Sequence, residues 1–223
     1  MASRWWAFVR FFFRLLYNEL AWMYDAVAWV VSLGQWQAWG RTAISHLQGE
    51  WVLELAHGPG HLLVTMAERG LSPVGLDLSS AMGRLARRRL QRVGQTVPIL
   101  QARAQTLPFR NECFDSVVTT FPTLFILDRD TLYDVVRVLR PGGRLVVVAW
   151  AGLGGCDPLS RFIGWLYRVT GQGEPQSGVG ETALTAVGLV PYVVREQVGR
   201  SVVILFIGAR ASRDDRTAWT ADR

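Results

Sequence analysis

The stretch Val52–Leu63, VLELAHGPGHLL, holds the chain's densest set of chemically useful residues. It reads as a strand that carries Glu54, a turn through Ala56, His57, Gly58 and Gly60, and the opening of a helix. Glycines in such a turn let the backbone take strained angles and approach a ligand closely. The helix start presents N–H groups to a carboxylate or phosphate. Seventeen residues past Gly60 stands Asp77, in Val74–Ser79, VGLDLS. An acidic side chain at the end of a second strand can accept hydrogen bonds from ribose hydroxyls. Its structural alternative is a helix N-cap, but Ser79 can fill that role by itself, which leaves Asp77 free. The two segments together predict a site for a nucleotide-like ligand. The dinucleotide fingerprint needs glycine or alanine three places past Gly60, where Leu63 stands, so hydride-transfer chemistry on a nicotinamide cofactor is disfavoured.

These residues must be held by regular elements, and the hydrophobic pattern supplies them. Short apolar runs at 51–55, 73–78, 97–102, 114–119 and 144–149 read as strands, and their continuity suits a sheet covered on both faces. Helical segments at 61–69, 80–93 and 129–139 fall between them, which predicts right-handed βαβ units and a parallel sheet. A short helix over 181–187 follows. Tyr192–Val198 and Ser201–Ile207, joined at Gly199-Arg200, read as a hairpin. Residues 3–47 read as Trp- and Phe-rich helices. The division expected is a helical extension over 1–47, a main domain over 48–210 with a glycine-rich insert at 151–180, and a frayed tail over 211–223.

Composition narrows the class. The 223 residues are 50% apolar and 19% charged, a globular balance. A chain of this length can bury roughly 70% of its unfolded surface. The net charge is +6, and all 24 basic residues are arginine. Arg84, Arg87, Arg88, Arg89 and Arg92 share one helix, but no nucleic-acid motif accompanies them, so we read a solvated face and no nucleic-acid partner. Cys113 and Cys156 stand apart, with no CxxC pair and three scattered histidines; no metal site is expected, and a reducing cytoplasm fits. The run 15–33 is about a membrane span in length but carries Asn18, Glu19 and Asp25, which argues against a transmembrane helix.

With these elements in place, four motifs in order resemble the class I S-adenosylmethionine-dependent methyltransferases, especially the group with the ubiquinone/menaquinone C-methyltransferases and phospholipid N-methyltransferases. The motifs are Glu54-x-Ala56-x-Gly58-x-Gly60, Asp77, the AxxLPF segment Ala104–Phe109 followed by Phe114-Asp115, and the VLRPGG turn Val138–Gly143. The likeness covers roughly residues 50–150 well and the terminal hairpin more loosely. It implies an α/β, Rossmann-like fold with a seven-stranded, mostly parallel sheet, an antiparallel C-terminal hairpin and helices on both faces. It also implies a cofactor, S-adenosylmethionine, whose methionine part is surrounded by Glu54 and the Ala56–Gly60 backbone, His57 included. Asp77 would take the ribose, Leu78 the adenine face, and Ala104 and Gln105 the adenine edge. Thr120 and Phe121 would face the reacting methyl group, and Tyr24 the cofactor's carboxylate. Two residues depart from the pattern. Ala56 replaces the first motif glycine. Arg103 replaces an aspartate that accepts from the adenine amino group in many members, and an arginine cannot accept.

Methyl transfer from a sulfonium is a direct displacement, so the protein's main task is positioning. A general base is needed only where the nucleophile must lose a proton. No catalytic residue is identified; His57, Tyr17, Tyr24 and Asp128 are the candidates for a base. The aromatic N-terminal helices and the insert flank the expected entry, which favours a small apolar or amphipathic acceptor, a quinone precursor or a lipid. A methyltransferase-like domain that binds a partner without catalysis is the alternative. The chain is expected to be cytoplasmic. A helix over residues 3–18 would set Arg4, Arg10 and Arg14 opposite Trp5, Trp6, Phe8, Phe12 and Phe13, an interfacial pattern that predicts peripheral contact with the inner face of a membrane.

Overall fold

Alternate residues of each central strand go to opposite faces of one sheet, and both faces are apolar. In the computed structural model, which describes residues 23–154, 174 and 178–212, the strands are β1 (Trp51–Leu55), β2 (Ser72–Asp77), β3 (Ile99–Gln101), β4 (Phe114–Thr120), β5 (Leu139–Leu153), β6 (Leu189–Val198) and β7 (Ser201–Arg210). Leu53, Val117, Leu145, Val147, Ile204 and Phe206 meet on one face. Their neighbours Val52, Val118, Val146, Val148, Leu205 and Ile207 meet on the other. This period of two, with no polar face left over, is why the runs read as continuous apolar stretches.

The helices supply the covering layers. Helices α1 (Tyr24–Ser32), α2 (Trp36–Arg41), α3 (His61–Glu68) and α4 (Ser80–Arg92) precede β3, and α5 (Arg129–Val138) and α6 (Val179–Ala186) follow β4. Trp39 of α2 and Leu63 and Met66 of α3 pack on one face of the sheet. Leu132 and Val135 of α5 and Leu184 of α6 pack on the other. Trp39, Leu63, Met66 and Leu145 are fully buried, and truncating a core leucine of this kind to alanine costs about 2–5 kcal/mol.

The strand order is β3-β2-β1-β4-β5-β7-β6. β1 pairs in parallel with both β2 and β4, so the chain leaves β1 towards one edge and later returns to its other side. That reversal opens a crevice at the carboxyl ends of β1 and β4, where ligands of open α/β sheets bind. β7 runs antiparallel to β5 and β6, as the hairpin reading expects.

Two local expectations are corrected. β5 begins at Leu139, because Leu139 already pairs with Phe114; Arg140–Gly143 then bulge out of the ladder before Arg144 pairs with Ser116. β5 also continues to Leu153, paired with β7, so the insert starts later than residue 151. The expected helix over residues 3–18, Tyr17, the apolar patch at 162–169 and the tail beyond residue 212 lie outside the described residues.

Candidate active site

The crevice at the switch point is floored by the turn after β1. Ala56 sits there with φ +53°, in the left-handed region that favours glycine, and its N–H donates to Leu76 O at 2.7 Å. Gly58 also has positive φ, and nothing lies within 4 Å of where its Cβ would be, so its backbone faces open space. Gly60 is different. It caps α3 with φ +80°, and a Cβ there would meet Ala86 Cβ at 2.7 Å. Its lack of a side chain lets α3 and α4 pack closely.

Two cavities share Tyr24, Ala56, Gly58, Thr120 and Phe121 in their walls. The larger, of about 390 Å³, is also bordered by Asp77, Leu78, Arg103, Ala104 and Gln105. That volume falls within the ~300–1,000 Å³ of small-molecule sites. The smaller, about 50 Å³, is bordered by Glu54 and His57, and by α2. Of the twelve residues expected at the cofactor, every one except Gly60 therefore borders one or both of these cavities.

Asp77 is not free, contrary to the capping argument. Ser79 does cap α4, accepting from Met82 N at 3.2 Å. The Asp77 carboxylate nevertheless accepts from Gly58 N at 2.9 Å and from Ser79 N at 2.7 Å. Two backbone donors thus fix its position at the lip of the larger cavity. A carboxylate has about four lone-pair sites, so acceptor capacity remains for hydroxyl groups.

Glu54 lies on the α3 side of β1 and is 1% exposed. Burial first, then the nearby Asp77 charge, pushes its carboxyl well above the usual range, against a hydrogen bond from the Leu63 backbone. Its Oε2 has no partner. A buried oxygen without a donor costs about 1–3 kcal/mol, so this group is set up for a donor that the fold itself does not provide.

His57 is buried, with Nδ1 2.7 Å from Gly58 O. A carbonyl only accepts, so Nδ1 carries the hydrogen and Nε2 is a bare, unpartnered acceptor. Burial holds the imidazole below its ordinary value despite the pull of Asp77. His57 is thus a neutral support under the turn. Asp128, another candidate base, caps α5 and accepts from Gln105 Nε2 at 3.0 Å, which fixes the amide at the wall of the larger cavity.

Phe121 ends β4 with φ +48° while its N–H donates to Val148 O at 2.8 Å. This turn sends the ring against Trp36, at 4.3 Å between centroids. Tyr24 packs on Ala81 and Met82 of α4. Its neighbour Asp25 accepts from His61 Nε2 at 2.8 Å and pairs with Arg89, which also donates to Pro59 O. The hydrogen bond from His61 is the main cause that holds the Asp25 carboxyl below its usual range. Asp25 thereby ties α1 to the starts of α3 and the glycine turn. Sequence reasoning missed this clamp, since its members are 36 and 64 residues apart and no local pattern joins them. It also missed Gln37 and Arg41, although their spacing of four along a helix put them on one face.

An open sheet of this order, with a glycine turn and a strand-end acid meeting at its switch point, defines a nucleoside-binding site of the methyltransferase kind. Residues 52–143 match the family described as "Methyltransferase domain". The chain is 34% identical over 160 residues to a demethylmenaquinone methyltransferase of Thermus thermophilus, covering 69% of this chain and 70% of that one. It is 33% identical over 159 residues to the corresponding protein of Thermobifida fusca, covering 69% and 67%. Among solved structures, a putative S-adenosyl-L-methionine-dependent methyltransferase of Methanococcus maripaludis shares the fold with a TM-score of 0.63 at 16% identity, over 86% of this chain and 92% of that one. Geranyl diphosphate C-methyltransferase of Streptomyces coelicolor A3(2) does so with a TM-score of 0.61 at 16% identity, over 78% and 79%. The chain belongs to the class I S-adenosylmethionine-dependent methyltransferases, enzymes that take S-adenosylmethionine as methyl donor. No helix among the described residues is long and apolar enough to cross a membrane.

Proposed function

We propose that the protein methylates a small apolar or amphipathic acceptor of the quinone-precursor kind. The observation that carries this reading is the identity of 34% with a demethylmenaquinone methyltransferase across 70% of that relative. The wall beyond Phe121 supports it, because Pro122 and Phe125 extend the larger cavity with apolar surface.

The residues present fit the donor. The orphaned Glu54 Oε2 and the open backbone at Gly58 offer an acceptor and close approach at one end. At the other end the fixed Asp77 carboxylate borders a cavity of nucleoside size. In this reading Glu54 receives the ammonium of the methionine part, Asp77 the ribose hydroxyls, and the exposed Leu78 covers the adenine. Ala104 and Gln105 line the adenine edge. Bound there, S-adenosylmethionine supplies an activated methyl group. Thr120 and Phe121 set the direction from which the acceptor approaches, and Tyr24 closes the site from above. Positioning of this kind can account for roughly 7–11 kcal/mol of barrier lowering. His57 is held by its Nδ1–Gly58 O bond, and burial weakens it as a base.

The reading extends to peripheral membrane contact through residues 3–18, where a lipid-soluble acceptor would be met. Trp29 and Val30, 64% and 59% exposed on α1, continue that apolar character along the chain. The acceptor assignment is tested by incubating the protein with methyl-labelled S-adenosylmethionine and vesicles holding a demethylated quinol. Label extracted with the quinone fraction is expected. A protein that binds the donor but leaves the quinol unlabelled would exclude this acceptor class.

A further inference from the structure

Asp25 draws three separate parts of the chain to one point. Its Oδ1 accepts from His61 Nε2 at 2.8 Å, at the start of α3. Its Oδ2 accepts from Arg89 of α4, which also donates to Pro59 O in the glycine turn. Each carboxylate oxygen therefore serves a different helix. Arg89 is set apart from the other arginines of α4. Arg84, Arg87, Arg88 and Arg92 are exposed, whereas the Arg89 side chain is 25% exposed. Tyr24, Pro59 and His61 all stand in the wall of the smaller cavity, and Tyr24 in that of the larger as well. Successive helix residues point about 100° apart. While Asp25 reaches α3 and α4 by its carboxylate, Tyr24 therefore packs on Ala81 and Met82.

Stability alone does not explain this arrangement. The Asp25 side chain is 49% exposed, and ion pairs with that much water around them contribute little to folding. The helix it belongs to has a small apolar grip: of the nine residues of α1, Ala28 and Ser32 are buried, while Trp29 and Val30 face outward. The Ser32 hydroxyl donates to Ala28 O within α1 and accepts from Trp36 N of α2. A helix held so lightly takes its placement from its fixed ties. We infer that Asp25 is a positioning residue of the donor site: by bridging His61 and Arg89 it holds Tyr24 in the walls of the two cavities. The inference rests on the donor reading above. With the bridge intact, Tyr24 is in place before the donor arrives, so binding does not have to order α1. With the bridge broken, the helix remains but Tyr24 is free to leave the wall.

The test measures the affinity and the dissociation rate of S-adenosylhomocysteine, the demethylated product. The unaltered protein is compared with Asp25→Asn, and with Arg89→Gln and Tyr24→Ala, each alone and paired with Asp25→Asn. Asp25→Asn is expected to bind roughly three- to tenfold more weakly and to release the ligand faster by a similar factor, the scale of one net hydrogen bond. Its melting temperature should stay close to that of the unaltered protein, because the bridge is half-exposed. Arg89→Gln should behave alike. Neither pair should lose more than its weaker-binding single variant, because residues that act through one another are not additive. Asp25→Glu, which keeps the carboxylate, should recover part of the affinity. Unchanged affinity in Asp25→Asn, or full additivity with Tyr24→Ala, overturns the inference and leaves the donor reading intact. So does a fall in melting temperature that Asp25→Glu reverses without recovering affinity. An unaltered protein that does not bind S-adenosylhomocysteine overturns the donor reading and this inference together.

Discussion

Asp77 Oδ2 accepts from Gly58 N at 2.9 Å, so the strand-end acid and the glycine turn form one unit. The acid proposed for the ribose also sets where the turn lies, and that turn carries the backbone proposed for the methionine part. In that reading, binding at the two ends of the donor is linked through a single carboxylate.

Ala56 bears a cost that the motif's usual glycine avoids. A non-glycine residue in the left-handed region costs of order 1–3 kcal/mol, and Ala56 is held there at φ +53° by its bond to Leu76 O. Ala56→Gly is expected to gain about 1 kcal/mol from relieved strain, partly offset by the added freedom of the unfolded chain. Urea unfolding of the two proteins checks this. An equal loss of stability would mean that the methyl group packs in a way that repays its strain.

Glu54 makes stability and function pull in opposite directions. Its carboxyl is raised in the folded chain above the ordinary 4.5. Above that value the unfolded chain gives up the proton while the folded chain keeps it, so this group's contribution to stability falls as pH rises towards the folded value. Glu54→Gln should therefore flatten the loss of stability above about pH 4.5 while it weakens S-adenosylmethionine binding. Melting curves across pH, with and without the donor, separate the two effects. An unchanged pH profile would show that Glu54 is ionised in the ligand-free protein.

Arg103 is exposed at the larger cavity and makes no ion pair among the described residues. We expect Arg103→Asp to hold or improve donor affinity, because an acceptor replaces a group that cannot accept from the adenine amino group. A loss of about tenfold or more, or about 1.4 kcal/mol, would mean that Arg103 itself touches the donor.

The sheet was legible because its strands are long apolar runs separated by helices, and because Gly199-Arg200 marks the hairpin. The candidate site was legible in outline, since the glycine turn, Asp77 and the AxxLPF segment are local signals. Three features were not. Gly60 was legible as a turn glycine, but not its close approach to Ala86, which is fixed by tertiary packing of α3 on α4. Asp77 looked free because a sequence shows the Ser79 cap but not the Gly58 N–H that arrives from another strand's turn. The Asp25–Arg89 clamp joins elements far apart in the chain, where no periodicity reports contact.

The membrane reading gives its own expectation. Arg4, Arg10 and Arg14 would each add about 1 kcal/mol near an anionic leaflet. The full chain should float with anionic vesicles and less so in high salt or on neutral lipid, while a chain starting at Leu20 should not. Equal behaviour of the two would assign residues 3–18 to the fold instead.

The central claim is that one nucleoside site, fixed by Asp77, binds the methyl donor. Calorimetric titration of the protein and of Asp77→Ala with S-adenosylmethionine, S-adenosylhomocysteine and NAD tests it most directly. The account predicts binding of the first two and not of NAD, with a loss of about tenfold or more in the variant, as for a charge-assisted hydrogen bond of roughly 1.5–3 kcal/mol. Binding of NAD in place of S-adenosylmethionine, or unchanged affinity in a folded Asp77→Ala, would contradict it.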